Sequence, residues 1–285
     1  MAYLTEKSQR ESRAFEFWRK RTPLSLLTAG QSGTFIIGLP LMLLLLALWE
    51  IAPRAGLLNP IFFPPLSVVL STLSAMAGSG ELARHVGISL NRAATGFVLA
   101  VVVGVPLGLA MGRYALFEKV TDLLVQTLRN TSQFALLPVF ILLLGIGEAS
   151  KIAITFYAAV FFLLINTIVG VKSVDPLLLK AARSMGTSDW NLFRKVILPS
   201  AVPSIVAGAR LGVKASLMSV IAAEMLAAQS GIGFLIQHSS LMLETDRMYA
   251  GIIVLTAIGL ALNYVLVAID SRAARWRATP TGGGA

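Results

Sequence analysis

The chain has 285 residues and a formal net charge of +10; 56% of it is hydrophobic, 13% charged, and none is cysteine. A soluble domain averages about 25% charged residues, so this composition, with a mean hydropathy of +0.77, argues against a water-covered surface and for one that faces lipid. Without cysteine there are no disulfides, thiolate metal sites or cysteine nucleophiles within the chain, and basic residues scattered between apolar runs argue against nucleic-acid binding.

Residues 1–32 read as a basic tail, with Lys7, Arg10, Arg13, Arg19, Lys20 and Arg21 ahead of any apolar run. The run at 35–51 has the length of a signal sequence. It ends Trp49-Glu50-Ile51-Ala52-Pro53-Arg54, without a small-x-small cleavage site, and is read as an uncleaved first span. A Pro- and Phe-rich stretch (59–65) follows, then a short amphipathic segment (67–76) too brief and too polar to cross. Five further spans are predicted at 93–111, 120–144, 152–171, 205–226 and 252–269. Each reaches the roughly 17–25 residues that cross about 30 Å of hydrocarbon. The expected fold is all-α, with six transmembrane helices within 33–277 and a flexible tail at 278–285. Gly104, Pro106, Gly108 and Pro138 are tolerable inside spans, and the four-residue spacing of Gly104, Gly108 and Gly112 predicts close helix packing.

Basic residues also set an orientation. With the N-terminus inside, the inner segments hold six (1–32), two (113–119), five (171–200) and three (270–285) of the 24. The outer segments hold four: Arg54, Arg84, Lys151 and Arg247. The remainder, Arg92, Arg129, Arg210 and Lys214, lie within spans or at their edges. This asymmetry places both termini in the cytoplasm.

The longest polar stretch between later spans, 171–200, is then cytoplasmic, and its local grammar is clear. Asp175 is a helix N-cap and Pro176 stands at the first helical position, where its missing N–H costs nothing. A short helix follows over 177–185, and Gly186 fits the left-handed position that ends it. Thr187 or Ser188 caps a second short helix, expected to stop at Pro199 before Pro203 opens the next span. The product is a helix–turn–helix knob outside the membrane.

That loop resembles a known family. Lys180-Ala181-Ala182, Gly186 four residues on, then Val196 and Leu198-Pro199 are similar in spacing to the signature loop of binding-protein-dependent ABC importer permeases. Lys180 stands where Glu is usual, so that polar contact is not carried over, and Val196 replaces Ile. Phe63-Pro64-Pro65-Leu66-Ser67, Leu137-Pro138-Val139-Phe140-Ile141, Gly145-Ile146-Gly147-Glu148, Val174-Asp175-Pro176, Ala222-Ala223-Glu224-Met225 and Gly231-Ile232-Gly233 resemble the nitrate, sulfonate, taurine and bicarbonate branch. Asn130-Thr131-Ser132-Gln133 departs from it: many relatives have a hydrophobic residue and a proline after Arg129, so this helix break is more polar here.

The resemblance implies a type I ABC importer permease fold in a bacterial inner membrane. It further implies a homodimer or a dimer with a close paralogue, two cytoplasmic ATPase subunits that carry ATP and Mg, and an extracytoplasmic binding protein. Asp175, Pro176, Lys180, Ala181, Ala182, Gly186, Leu198 and Pro199 would form the loop gripped by the ATPase. The chain has no Gly-x4-Gly-Lys-Ser/Thr phosphate loop and is expected to bind no cofactor and to catalyse nothing itself.

Charges inside spans default to function. Arg210 and Lys214 lie one turn apart on the fifth predicted span, and two copies would make an anion-attracting cavity. Lys214, with Ser216 and Ser219, is the candidate substrate contact. Arg210 can instead reach the headgroups or the coupling loop. Asn130, Gln133, Asn166 and Thr167 are substrate-pathway candidates or interhelical hydrogen-bonding groups. Glu224 with Gly231 and Gly233 is the candidate outer gate, and His85 and His238 lack metal spacing. The competing class is a secondary carrier working without an ATPase. Such carriers usually show two repeats with interrupted helices, and no second copy of the knob is visible. A membrane-embedded enzyme would need an acid, base or nucleophile constellation that the spans lack.

Overall fold

A computed structural model describes residues 31–274, with side chains described for 39–268. Most of the basic tail (1–30) and the tail at 278–285 lie outside the described residues. Among the described residues all regular structure is helical, and the chain divides into two compact units at Val68/Val69.

The first unit contains α1 (Gln31–Arg54). Its leucines from Leu39 to Leu48 are exposed, as expected of a helix whose surface faces lipid. The Pro- and Phe-rich stretch folds back on its end. Trp49 Nε1 donates to the Pro64 carbonyl at 3.1 Å, and Glu50 accepts from the Ser67 N–H and hydroxyl, each at 2.9 Å.

The helix α2 (Leu66–Gly78) begins at the boundary and has 13 residues, too short to cross. The second unit continues with α3 (Glu81–Arg113), α4 (Ala115–Asn130), α5 (Gln133–Leu144) and α6 (Glu148–Lys172). Then come α7 (Pro176–Ser184), α8 (Asp189–Leu192), α9 (Leu198–Ala227), α10 (Ile232–Leu241) and α11 (Thr245–Ala274). Its core is α6 packed between α3 and α9. Glycine makes that approach possible. A Cβ at Gly108 would stand 2.7 Å from the Leu164 carbonyl oxygen, and one at Gly112 the same distance from Val171 Cβ. The predicted glycine stripe is therefore a packing face, extended on α3 by Gly96, which would meet Thr155 at 2.6 Å.

Among the described residues α3, α6, the stretch Asp189–Ala227 and α11 are long and apolar enough to cross a membrane, and α4 with α5 makes a fifth if the bent pair is one span. The predicted span at 35–51 falls in α1, whose first side chains are outside the described set, so the described spans number four or five rather than six. Two expectations are corrected, and one helix is added. The predicted span at 120–144 is two helices bent by 98°, broken where Thr131 and Ser132 take extended backbone angles. There the Asn130 amide donates to the Gln126 carbonyl and the Thr131 hydroxyl to that of Thr127, so side chains satisfy the last carbonyls of α4 and its ladder can end.

Pro199 does not stop the second helix of the knob. A π turn at Phe193–Ile197 joins α8 to α9, with the Leu198 N–H bonded to Phe193 O. Widening the turn relieves the clash of the Pro199 ring with the preceding carbonyls, so the helix runs on. Finally, 231–241 is mostly helix α10, packed on α9 and α11 through Ile221, Ile232 and Ile236.

Candidate functional site

The knob is built as its sequence requires. Asp175 accepts from the Leu177 N–H at 2.7 Å and Pro176 opens α7. Gly186 has φ 73°, a left-handed conformation that an added Cβ would strain. Ser188, rather than Thr187, caps α8. Beneath these lies a small core of Val171, Val174, Ala182, Leu192, Ile197 and Ala201, which ties both knob helices to the ends of α6 and α9. Its outer surface carries apolar residues among charged ones: Leu177, Leu178, Met185 and Trp190 are exposed, Trp190 by 67%. Lys180, Ala181 and Pro199 are exposed as well. Arg113 at the end of α3 pairs with Asp189 at 3.1 Å, bracing α8.

At the other end of α9 stands a buried ionic cluster. Arg92, 2% exposed, donates through Nη1 to Glu224 Oε1 and to the Ser230 carbonyl, both at 2.7 Å. Its Nε and Nη2 grip Glu148 at 2.6 Å each, a bidentate pair. Glu224, 1% exposed, also accepts from the Ser89 hydroxyl at 2.7 Å and the Gly233 N–H at 3.0 Å. Ser89 Oγ in turn accepts from the Ile232 N–H at 2.8 Å, and His85 Nδ1 lies 3.0 Å from the Gly231 nitrogen. Both glycines are sterically required: a Cβ at Gly231 would fall 2.2 Å from Glu224 Cδ, and one at Gly233 2.3 Å from the Ile221 carbonyl oxygen.

The structure thus brings Glu224, Gly231 and Gly233 together, as expected. Sequence reasoning missed Arg92, Glu148, Ser89 and His85 as their partners. The available signal was Arg92 itself, a cation at the edge of a predicted span with no acid one turn away.

The remaining candidates are scattered. Lys214 donates to Asn263 Oδ1 at 3.0 Å on an exposed face. Ser216 and Ser219 lie on the buried face, where the Ser219 hydroxyl approaches the Ile154 carbonyl at 3.4 Å. Two and five residues along a helix turn the side chain well away from Lys214, so the three are not one site, contrary to expectation. Arg210 is half-buried one turn before Lys214. Asn130 is engaged by its own helix, and the Asn166 amide donates to the Phe162 carbonyl at 2.8 Å. Thr167 is fully buried and bonds Leu163 O. Gln133 and Asn166 do share a groove of about 630 Å³ at the bend between α4 and α5, together with Arg129, Ser132 and Tyr157.

The profile of a family described as binding-protein-dependent transport system inner membrane component matches residues 100–275, more than half of the chain. The taurine transport system permease protein TauC of Escherichia coli (strain K12) is 33% identical over 261 residues, spanning 90% of this chain and 92% of that one. The putative aliphatic sulfonates transport permease protein SsuC of Bacillus subtilis (strain 168) is 34% identical over 84% of this chain and 87% of its own length. The nitrate import permease protein NrtB of Leptolyngbya laminosa is 31% identical over 66% and 67%. Among solved structures, the MetNI methionine ABC transporter in an inward-facing conformation aligns with a TM-score of 0.60 at 20% identity, covering 67% of this chain and 95% of that one. At that identity the likeness speaks for the fold.

Proposed function

The chain belongs to the binding-protein-dependent transport system inner membrane components, and from that membership we propose that it imports a small oxyanion of the sulfonate, taurine or nitrate kind. It is an ABC importer permease subunit, a multi-pass protein of the inner membrane. In the proposed assembly two permease copies, or this chain and a close paralogue, sit on two cytoplasmic ATPase subunits that hold ATP and Mg. An extracytoplasmic binding protein delivers the anion. Both termini and the knob face the cytoplasm, which follows from the basic asymmetry of the loops.

One observation carries the reading: a braced knob whose apolar face, Leu177, Leu178, Met185 and Trp190, is left uncovered while its base is packed into the bundle. Exposed apolar clusters on a rigid element mark interaction sites. Movement of the ATPase subunits would pass through Asp175, Pro176, Lys180, Ala181, Ala182, Gly186, Leu198 and Pro199 into α6 and α9. The outer gate would be the loop held by Glu224, Gly231 and Gly233. Arg210, Lys214, Ser216, Ser219, Asn130, Gln133 and Asn166 remain the proposed substrate pathway, with Lys214 and Asn130 the most exposed of them.

The test is ATP-driven uptake of labelled taurine, methanesulfonate or nitrate by the complex reconstituted in liposomes. A Leu177→Asp variant should fold normally yet lose more than tenfold of the uptake, because a charge replaces apolar contact area at the interface. Uptake that needs no ATP and follows a proton or sodium gradient would establish the secondary carrier instead.

A further inference from the structure

We propose that Arg129, at the bend between α4 and α5, is the cation that contacts the oxyanion in transit, with Gln133 and Ser132 as its neutral donors. This rests on the reading of the chain as an anion importer and goes beyond it by assigning a residue and a site.

The Arg129 guanidinium makes no ion pair or hydrogen bond among the described residues. Other basic groups in or beside the spans are occupied: Arg92 by Glu148 and Glu224, Arg113 by Asp189, Lys172 by Glu118, Lys214 by Asn263. Arg129 also lies about 21 Å along α4 from Ala115 at 1.5 Å per residue, far from that helix's start. A cation in a helix pair that is apolar enough to count as one span needs protein, water or an anion beside it.

The second observation is the groove that receives it. Of the residues lining this space of about 630 Å³, Arg129 carries the single formal charge. A concave surface with one sign of charge and apolar walls, here Phe134, Phe161 and Phe162, concentrates counter-ions. A planar guanidinium also matches the paired oxygens of a sulfonate or nitrate, which an ammonium does not.

Hydrogen-bond accounting then separates ligands from walls. The Gln133 amide and Ser132 hydroxyl have no hydrogen-bond partner among the described residues and are available to an oxyanion. Asn166 and Asn130 have already given an amide hydrogen to a backbone carbonyl. Tyr157 is a positioning residue. Its hydroxyl bonds the Leu128 carbonyl at 2.5 Å, one residue before Arg129, and its ring packs edge-on to Phe140 and Phe161. That contact fixes the bend. One cation with two neutral donors makes a weak site, as passage requires: an ion must enter and also leave.

The chain has no cysteine, so a single introduced thiol reports on this groove alone. The full-length permease carrying Gln133→Cys, in lipid nanodiscs, is treated with a sulfonate-bearing and then a trimethylammonium-bearing methanethiosulfonate reagent. We expect the anionic reagent to be favoured and methanesulfonate or nitrate to slow it. In the background of Arg129→Gln that preference should fall by about tenfold or more, while Arg129→Lys should keep much of it but lose protection by nitrate. Ser132→Cys serves as a second reporter should Gln133→Cys not fold. A thiol unreactive to both reagents, or an anion preference unchanged without Arg129, overturns the proposal. Because this readout needs neither ATP nor partners, it is independent of the uptake assay: uptake without Arg129-dependent reactivity would leave the importer standing and remove the site.

Discussion

The two ends of the Asp189–Ala227 helix are both rich in polar groups, yet they are built on opposite plans. At the knob, capping bonds join residues two or three apart, Asp175 to Leu177 and Ser188 to Asn191, and the charged groups stay in water. At the far end, Arg92 reaches Glu148 and Glu224 across 56 and 132 residues, and two of the three charges are sealed from solvent. Local capping shapes a surface that can be exchanged piece by piece. A desolvated ion cluster is all or nothing, because removing one partner strands the others in low dielectric. The first plan suits a surface that is gripped and released; the second suits a joint that opens or closes only as a unit.

Breaking the joint is therefore the largest expected effect. Arg92→Ala should lower stability by about 3–5 kcal/mol, read as a denaturation midpoint in detergent, and Arg92→Met with Glu224→Met should recover much of it. A loss no greater than that of a knob variant would erase the distinction between the two ends. Asp175→Ala should cost only about 1 kcal/mol, with faster amide exchange confined to the first turn of α7; global loosening would mean that the knob is not locally built. The smallest effect sharpens what burial alone does. Ser216 is buried with a hydroxyl that has no partner among the described residues, so Ser216→Ala should leave the midpoint unchanged within about 0.5 kcal/mol.

The same contrast explains what could be read in advance. Caps, the Gly186 turn and the glycine stripe are consequences of a few neighbouring residues, and they were legible. Apolar run length located the spans of α6, α9 and α11. It failed at 120–144, since hydropathy does not register that Asn130 and Thr131 can close a helix with their own side chains. The rule that proline ends a helix misjudged Pro199, where a π turn absorbed the ring. The partners of Glu224 were out of reach because pairing across 132 residues leaves no periodic mark. For Lys214, the neighbourhood in sequence misled: Ser216 and Ser219 share its helix and face the opposite way.

A helical stretch that starts in the knob and passes Glu224 near its other end has a mechanical consequence. From Asp189 to Glu224 the helix is about 52 Å long at 1.5 Å per residue, so a tilt of about 5° at the gripped end displaces the far end by roughly 4–5 Å. That exceeds the reach of a hydrogen bond. Moving as one piece through its π turn, the helix would act as a lever with its load at one tip: a small swing applied at Trp190 would be enough to part Glu224 from Ser89 and Arg92.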